Sequence, residues 1–134
     1  TGTPAFFLHA TEAVHGSAGQ VAPGDVVIAI SNSGQTEELL HATAAVQALG
    51  ARLIAVSGGL QSPLARRAEV VLDAGVAQEG GGLGFAPRAS AAAELLVLAA
   101  LSAALEVERG FTAADYHARH PAGALGRRSR PPGA

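Results

Sequence analysis

Asp25-Val26-Val27-Ile28-Ala29-Ile30-Ser31-Asn32-Ser33-Gly34-Gln35-Thr36-Glu37-Glu38 decides the fold. Val26 through Ile30 is an unbroken apolar run rich in β-branched residues. It does not alternate with polar residues, so it reads as a strand covered on both faces. Pro23-Gly24 precede it and mark its entry. The run gives way at once to hydroxyls and a glycine, and then to two acids that suit the positive end of a helix.

The flanking sequence repeats the pattern. Glu37–Leu49 places Leu39, Leu40, Thr43, Val46 and Leu49 roughly along one helical face, with Gly50 as the stop. Leu53–Val56 reads as the next strand, and Ser62-Pro63 opens a short helix over Leu64–Ala68 with serine as cap and proline in the first turn. Val70–Leu72 is a further strand, and Ala5–Leu8, after Pro4, is an earlier one. Thr11–Gly24 is polar and glycine-rich with weak helical content. Past the glycine-rich Gln78–Pro87, a long apolar helix is expected over Ser90–Glu108, packed as a core helix rather than spanning a membrane. Thr112 and Asp115 form a capping-box pattern for a short helix that His120-Pro121 ends. Strands alternating with helices predict an α/β fold, a three-layer α/β/α sandwich on a parallel sheet with four strands in this chain.

Composition narrows the chemistry. The chain has 134 residues, 49% of them hydrophobic, enough for one domain with its own core. It contains no cysteine, which excludes disulfides, thiol catalysis and cysteine-held metal. All nine basic residues are arginine, which excludes Schiff-base chemistry within this stretch. A formal net charge of −2 gives no nucleic-acid or membrane footprint. Arg127-Arg128-Ser129-Arg130-Pro131-Pro132 reads as a basic, proline-rich tail, so the domain is expected over 1–128 and the tail over 129–134.

The loop after the first long strand carries the functional signal. Ser31, Ser33 and Thr36 present three hydroxyls, and Gly34 lets successive N–H groups converge. The helix start behind them adds unpaired N–H donors and partial positive charge, which suits a phosphate monoester. One hydroxyl could instead serve as an ordinary helix cap. Neither the Gly-Lys-Ser/Thr step of a nucleotide-binding P-loop nor the G-x-G-x-x-G dinucleotide spacing is present. His117 and His120, three apart, lack a carboxylate placed to complete a metal site, so no metal is expected.

Ser31-Asn32-Ser33-Gly34-Gln35-Thr36 resembles the phosphate loop of the sugar isomerase (SIS) domain, a flavodoxin-like fold. Further stretches resemble one subfamily, the arabinose-5-phosphate isomerases: Thr1-Gly2-Thr3-Pro4-Ala5-Phe6-Phe7, Glu12-Ala13-Val14-His15-Gly16, Arg109-Gly110-Phe111-Thr112-Ala113, and His120-Pro121-Ala122-Gly123-Ala124-Leu125-Gly126-Arg127. The resemblance implies a cofactor-free aldose–ketose isomerisation between arabinose 5-phosphate and ribulose 5-phosphate, in the cytoplasm, with a product used for lipopolysaccharide. It implies that Ser31, Ser33, Gly34, Gln35 and Thr36 hold the phosphate, that Glu38 acts on the proton alpha to the carbonyl, and that His15 and His120 are acid/base or ring-opening partners. The implied partner is a small sugar phosphate, with no nucleic acid or membrane, in a homo-oligomer that is a tetramer in the family.

The sequence departs from the family in three places. A strand, a Gly-x-Gly-Lys-Ser-Gly loop and a helix would precede Thr1, so the chain is expected to be an N-terminally truncated SIS domain. The family's Pro-Thr-Ser-Ser-Thr run is replaced here by Pro87-Arg88-Ala89-Ser90-Ala91, which leaves one hydroxyl and adds a cation. The CBS modules that usually follow are not in this sequence. The rival expectations are a sugar-phosphate-binding module without turnover and an inactive fragment.

Overall fold

A computed structural model describes residues 1–131. The final three positions of the expected 129–134 tail lie outside the described residues. The chain divides into two compact units. One comprises Phe7–Val97, and the other joins Thr1–Phe6 to the described residues from Leu98 onward.

In the first unit, α1 (Ala10–Ala13) and a single 3-10 turn (Ser17–Gln20) precede β1 (Val26–Ile30). Then follow α2 (Glu37–Ala48), β2 (Arg52–Ser57), α3 (Pro63–Arg67) and β3 (Val70–Asp73). The strands form a parallel sheet in the order β1-β2-β3. Register is set by Val27 opposite Leu53 and Ala29 opposite Ala55 on one side, and by Ile54 opposite Val70 on the other. The expected α/β class with a parallel sheet is therefore present.

The register brings the buried residues to one face. Ala29, Leu53, Ala55 and Leu64 form a buried cluster, flanked by Val27, Leu39, Leu40 and Val71. A second cluster of Ala13, Ala18, Ala42, Val46 and Ala51 fastens α1 and the 3-10 turn to α2. Both cores rest largely on alanine, which lets the helices approach closely but buries little apolar area per contact. Ser62 caps α3 through its hydroxyl and Pro63 opens the helix, as expected.

Three expectations need correction. Ala5–Leu8 is not a strand: the segment is irregular, and Phe7 is 84% exposed. A strand persists only where its N–H and C=O groups find a partner, and no strand among the described residues pairs with this segment. The chain thus has three described strands rather than four. The other correction on the sheet concerns β1, which alternates in burial although its sequence does not: Val26, Ile28 and Ile30 are 53%, 40% and 43% exposed. Finally, α4 (Ala89–Glu108) is long and apolar, but Ser90 is its only buried residue among those described, and Leu95 and Leu96 are exposed.

In the second unit, α5 (Ala113–Arg119) begins with the expected capping box. The Thr112 hydroxyl accepts from the Asp115 N–H, and the Asp115 carboxylate accepts from the Thr112 N–H. The Arg119 guanidinium lies 5.3 Å from the Phe111 ring centroid, a cation–π contact. A further helix, α6 (Gly123–Ser129), was not anticipated and reaches into the stretch read as tail. Its glycine-containing, proline-preceded sequence carries no apolar period to announce it.

Candidate functional site

The loop between β1 and α2 stands at the carboxyl end of the sheet, where open α/β sheets bind ligands. Its geometry answers the question left open by the sequence. The hydroxyl oxygens of Ser31 and Thr36 lie 2.9 Å apart, and Ser31 Oγ also accepts from the Gly34 N–H at 3.1 Å. Ser33 Oγ accepts from the Gln35 N–H at 3.2 Å. The first helical bond runs from the Leu40 N–H to the Thr36 carbonyl, yet Thr36 makes no side-chain cap. The hydroxyls therefore organise the loop and leave the first turn of α2 uncapped by any side chain. Such a turn offers its N–H groups and dipole to an anion.

A second loop locks the first in place. The Asn32 carbonyl accepts from the N–H groups of Gly58 and Gly59, each at 3.0 Å, and from the Ser57 hydroxyl at 3.2 Å. The Leu64 N–H donates to the Gly34 carbonyl at 3.2 Å. Gly34 sits at φ +61°, and a Cβ there would run into the Ser62 side chain. Glycine is thus required twice, for its backbone conformation and for its size. Between the two loops lies an open cleft of about 490 Å³ lined by Ser33, Gln35, Gly59, Gln61, Ser62 and Arg66. The sequence reading did not single out the Ser57–Ser62 buttress. Its signal is a glycine pair and a serine at the carboxyl end of β2, a pattern shared by many strand–helix turns.

Ser31, Ser33, Gly34, Gln35 and Thr36 are thus brought together, with Ser31 and Gly34 buried and the others exposed. Glu38 is exposed in the first turn of α2, and makes no hydrogen bond or ion pair among the described residues. His15 is exposed between α1 and the 3-10 turn, its N–H bonded to the Glu12 carbonyl. Both belong to the same unit as the loop. His120 belongs to the other unit, at the end of α5, where its ring stacks on Tyr116 with centroids 5.6 Å apart.

The glycine-rich stretch before α4 has a structural role. One carboxylate oxygen of Glu79 accepts from the N–H groups of Arg88, Ala89 and Ser90 at 2.8, 2.7 and 3.3 Å, capping the helix. The Ser90 hydroxyl beside it, aided by the backbone donors, holds Glu79 below the usual carboxylate range. That hydroxyl is buried and, among the described residues, makes no hydrogen bond of normal geometry. Glu94 is pushed up, chiefly by burial and secondarily by the charge of Glu79. Arg88 donates from its guanidinium to the Gly80 carbonyl at 2.8 Å.

The SIS domain family matches residues 1–104. The chain belongs to the SIS domain family. It is 49% identical over 128 residues to the arabinose 5-phosphate isomerase KdsD of Pseudomonas aeruginosa, covering 96% of this chain and 39% of that protein. It is 48% identical to KdsD of Escherichia coli K12 over the same span. Among solved structures, E. coli CFT073 c3406 in complex with A5P matches with a TM-score of 0.84 at 42% identity, covering 90% of this chain and 64% of that one. A phosphosugar isomerase from Bacteroides fragilis, named for involvement in capsule formation, matches with a TM-score of 0.86 at 34% identity. The chain thus spans about two fifths of the length of the curated SIS relatives it matches.

Proposed function

We propose that this SIS chain is part of a sugar-phosphate aldose–ketose isomerase that interconverts arabinose 5-phosphate and ribulose 5-phosphate. The observation that carries the proposal is the Ser31–Thr36 hydroxyl pair in front of the uncapped first turn of α2. That arrangement suits a phosphate dianion. The identity to KdsD proteins and the fold match to a structure in complex with A5P support the choice of sugar.

In this reading the loop residues Ser31, Ser33, Gly34, Gln35 and Thr36 grip the phosphate and so fix the sugar chain. Glu38 removes the proton from C2 of the open-chain aldose, while an acid protonates the carbonyl oxygen on C1, giving an enediol. The proton returns to C1 as the hydroxyl on C2 loses its own, giving the ketose. His15 and His120 are the acid/base or ring-opening partners. No cofactor is required, because hydrogen only changes carbon and no net electrons leave the substrate. The protein then works in the cytoplasm as a homo-oligomer, takes a small sugar phosphate rather than nucleic acid or membrane as partner, and supplies lipopolysaccharide synthesis. Residues 1–128 carry the SIS part and 129–134 a tail.

Incubation with ribulose 5-phosphate, followed by ¹³C NMR of the sugar carbons, tests the reaction. Appearance of arabinose 5-phosphate is expected. Thermal stabilisation by the sugar phosphate without conversion would instead assign the chain as a binding module, and neither effect would mark it as inactive alone.

A further inference from the structure

We infer that His117 is a positioning residue for His120: its Nδ1–H, held by the Gly126 carbonyl, fixes the corner between α5 and α6 that carries the His120 imidazole. The inference rests on the proposed role of His120 for its catalytic consequence, but not for its geometry.

The observations lie within one unit. His117 Nδ1 is 2.8 Å from the Gly126 carbonyl oxygen, and that oxygen also accepts from the Ser129 hydroxyl at 3.2 Å. A carbonyl can only accept, so the proton sits on Nδ1, and in neutral His117 Nε2 carries the lone pair. Gly126 is buried, and a Cβ there would collide with the Pro121 carbonyl and its neighbouring peptide atoms. The backbone of α6 thus rests directly on the His120–Pro121 peptide. The bond from His117 holds α6 there.

Two further contacts fix His120 itself. Its N–H donates to the Tyr116 carbonyl at 2.8 Å, and its ring stacks on the Tyr116 ring at an interplanar angle of 28°. The four-residue stretch Tyr116–Arg119 is therefore tied at one end to the His120 backbone and, through His117, to Gly126. When the His117 bond is lost, α6 is free to lift from the His120 and Pro121 carbonyls, and the backbone that carries the His120 ring is held less firmly in the position that stacks it on Tyr116. His117 thus acts through a hydrogen bond within the chain.

Two measurements on the full chain test this. In the wild type, ¹⁵N shifts of the imidazoles are expected to show neutral His117 as the Nδ1–H tautomer. The Nε2–H tautomer would overturn the inference whatever any variant does. In His117→Ala, the His120 ring resonances are expected to lose the ring-current displacement that stacking on Tyr116 imposes. His117→Asn places an amide N–H near the Nδ1 position and is expected to restore it. Unchanged His120 resonances in folded His117→Ala, or failure of His117→Asn to restore them, would overturn the inference. With arabinose 5-phosphate turnover as a second readout, kcat is expected to fall about tenfold in His117→Ala with KM unchanged, and to recover in His117→Asn. If wild-type chain does not turn over, the chain is inactive alone or a binding module, and the NMR result still decides the role of His117.

Discussion

The hydroxyls of Ser31 and Thr36 meet at 2.9 Å across the loop that joins β1 to α2, and this contact draws both away from capping the helix. A loop that spent either hydroxyl on the first turn would have its N–H groups satisfied internally. Here no side chain caps that turn, so its N–H groups remain for the phosphate that the proposed function places there.

Ser31→Ala removes the partner of Thr36 and one acceptor for the Gly34 N–H, which keeps its bond to the Ser31 carbonyl. The expected stability loss is about 1 kcal/mol, read by urea denaturation. Affinity for arabinose 5-phosphate is expected to fall about tenfold or more by calorimetry, the loss of roughly one hydrogen bond around a charged group.

Gly34→Ala puts a side chain at φ +61° and onto Ser62. It is expected to cost more than about 1 kcal/mol and to abolish phosphate binding, because the loop must open to admit the methyl group. Thermal melts with and without sugar phosphate check both effects. A variant that retains the ligand-induced rise in Tm would show that the close Gly34–Ser62 approach is not needed.

Leu53 and Ile28 separate the two faces of the sheet. Leu53 is fully buried against Ala29, Ala55 and Leu64, and its replacement by alanine is expected to cost about 2–5 kcal/mol. Ile28 is 40% exposed on the other face, and Ile28→Ala is expected to cost about 1 kcal/mol or less. Denaturant midpoints with a common m-value read the difference.

The two carboxylates near the start of α4 are shifted in opposite directions. Glu79 is held low by Ser90 and the backbone donors, so its stabilisation is present above the ordinary carboxylate range and is lost as pH falls through its lowered value. Glu94 is raised by burial and by Glu79, so its ionisation opposes folding at neutral pH, and that opposition disappears as pH falls below the ordinary range. Glu79→Gln is therefore expected to lower Tm at pH 7, and Glu94→Gln to raise it. The Glu94 difference is expected to close below about pH 4, near the ordinary glutamate value, whereas the Glu79 difference closes only at lower pH, below its own lowered value.

Much of this structure was legible in residue order, and the exceptions have physical causes. Val26–Ile30, Leu53–Val56 and Val70–Leu72 announce strands because their β-branched runs sit between turn residues, and each forms one. Ser62-Pro63 and Thr112–Asp115 announce helix starts because capping chemistry is local. Ala5–Leu8 has the composition of a strand, but pairing is not a local property, and the segment remains irregular. The leucines of α4 look like core, yet exposure depends on what packs over them, which their own sequence does not encode. For the site, the Ser31–Thr36 residues were visible as a hydroxyl-rich strand–helix loop. Their pairing, and the hold of Ser57, Gly58 and Gly59 on Asn32, depend on parallel register between β1 and β2 and appear only in three dimensions.

The central claim is that the loop from Ser31 to Thr36 takes the phosphate of a sugar phosphate. Titration of ¹⁵N-labelled chain with arabinose 5-phosphate tests it most directly, by following backbone amide resonances. Saturable shifts are expected at Ser33 through Leu39, with smaller ones at Gly58 and Gly59, and arabinose lacking the phosphate is expected to give none. Shifts confined to other residues, or equal shifts with the unphosphorylated sugar, would contradict the claim.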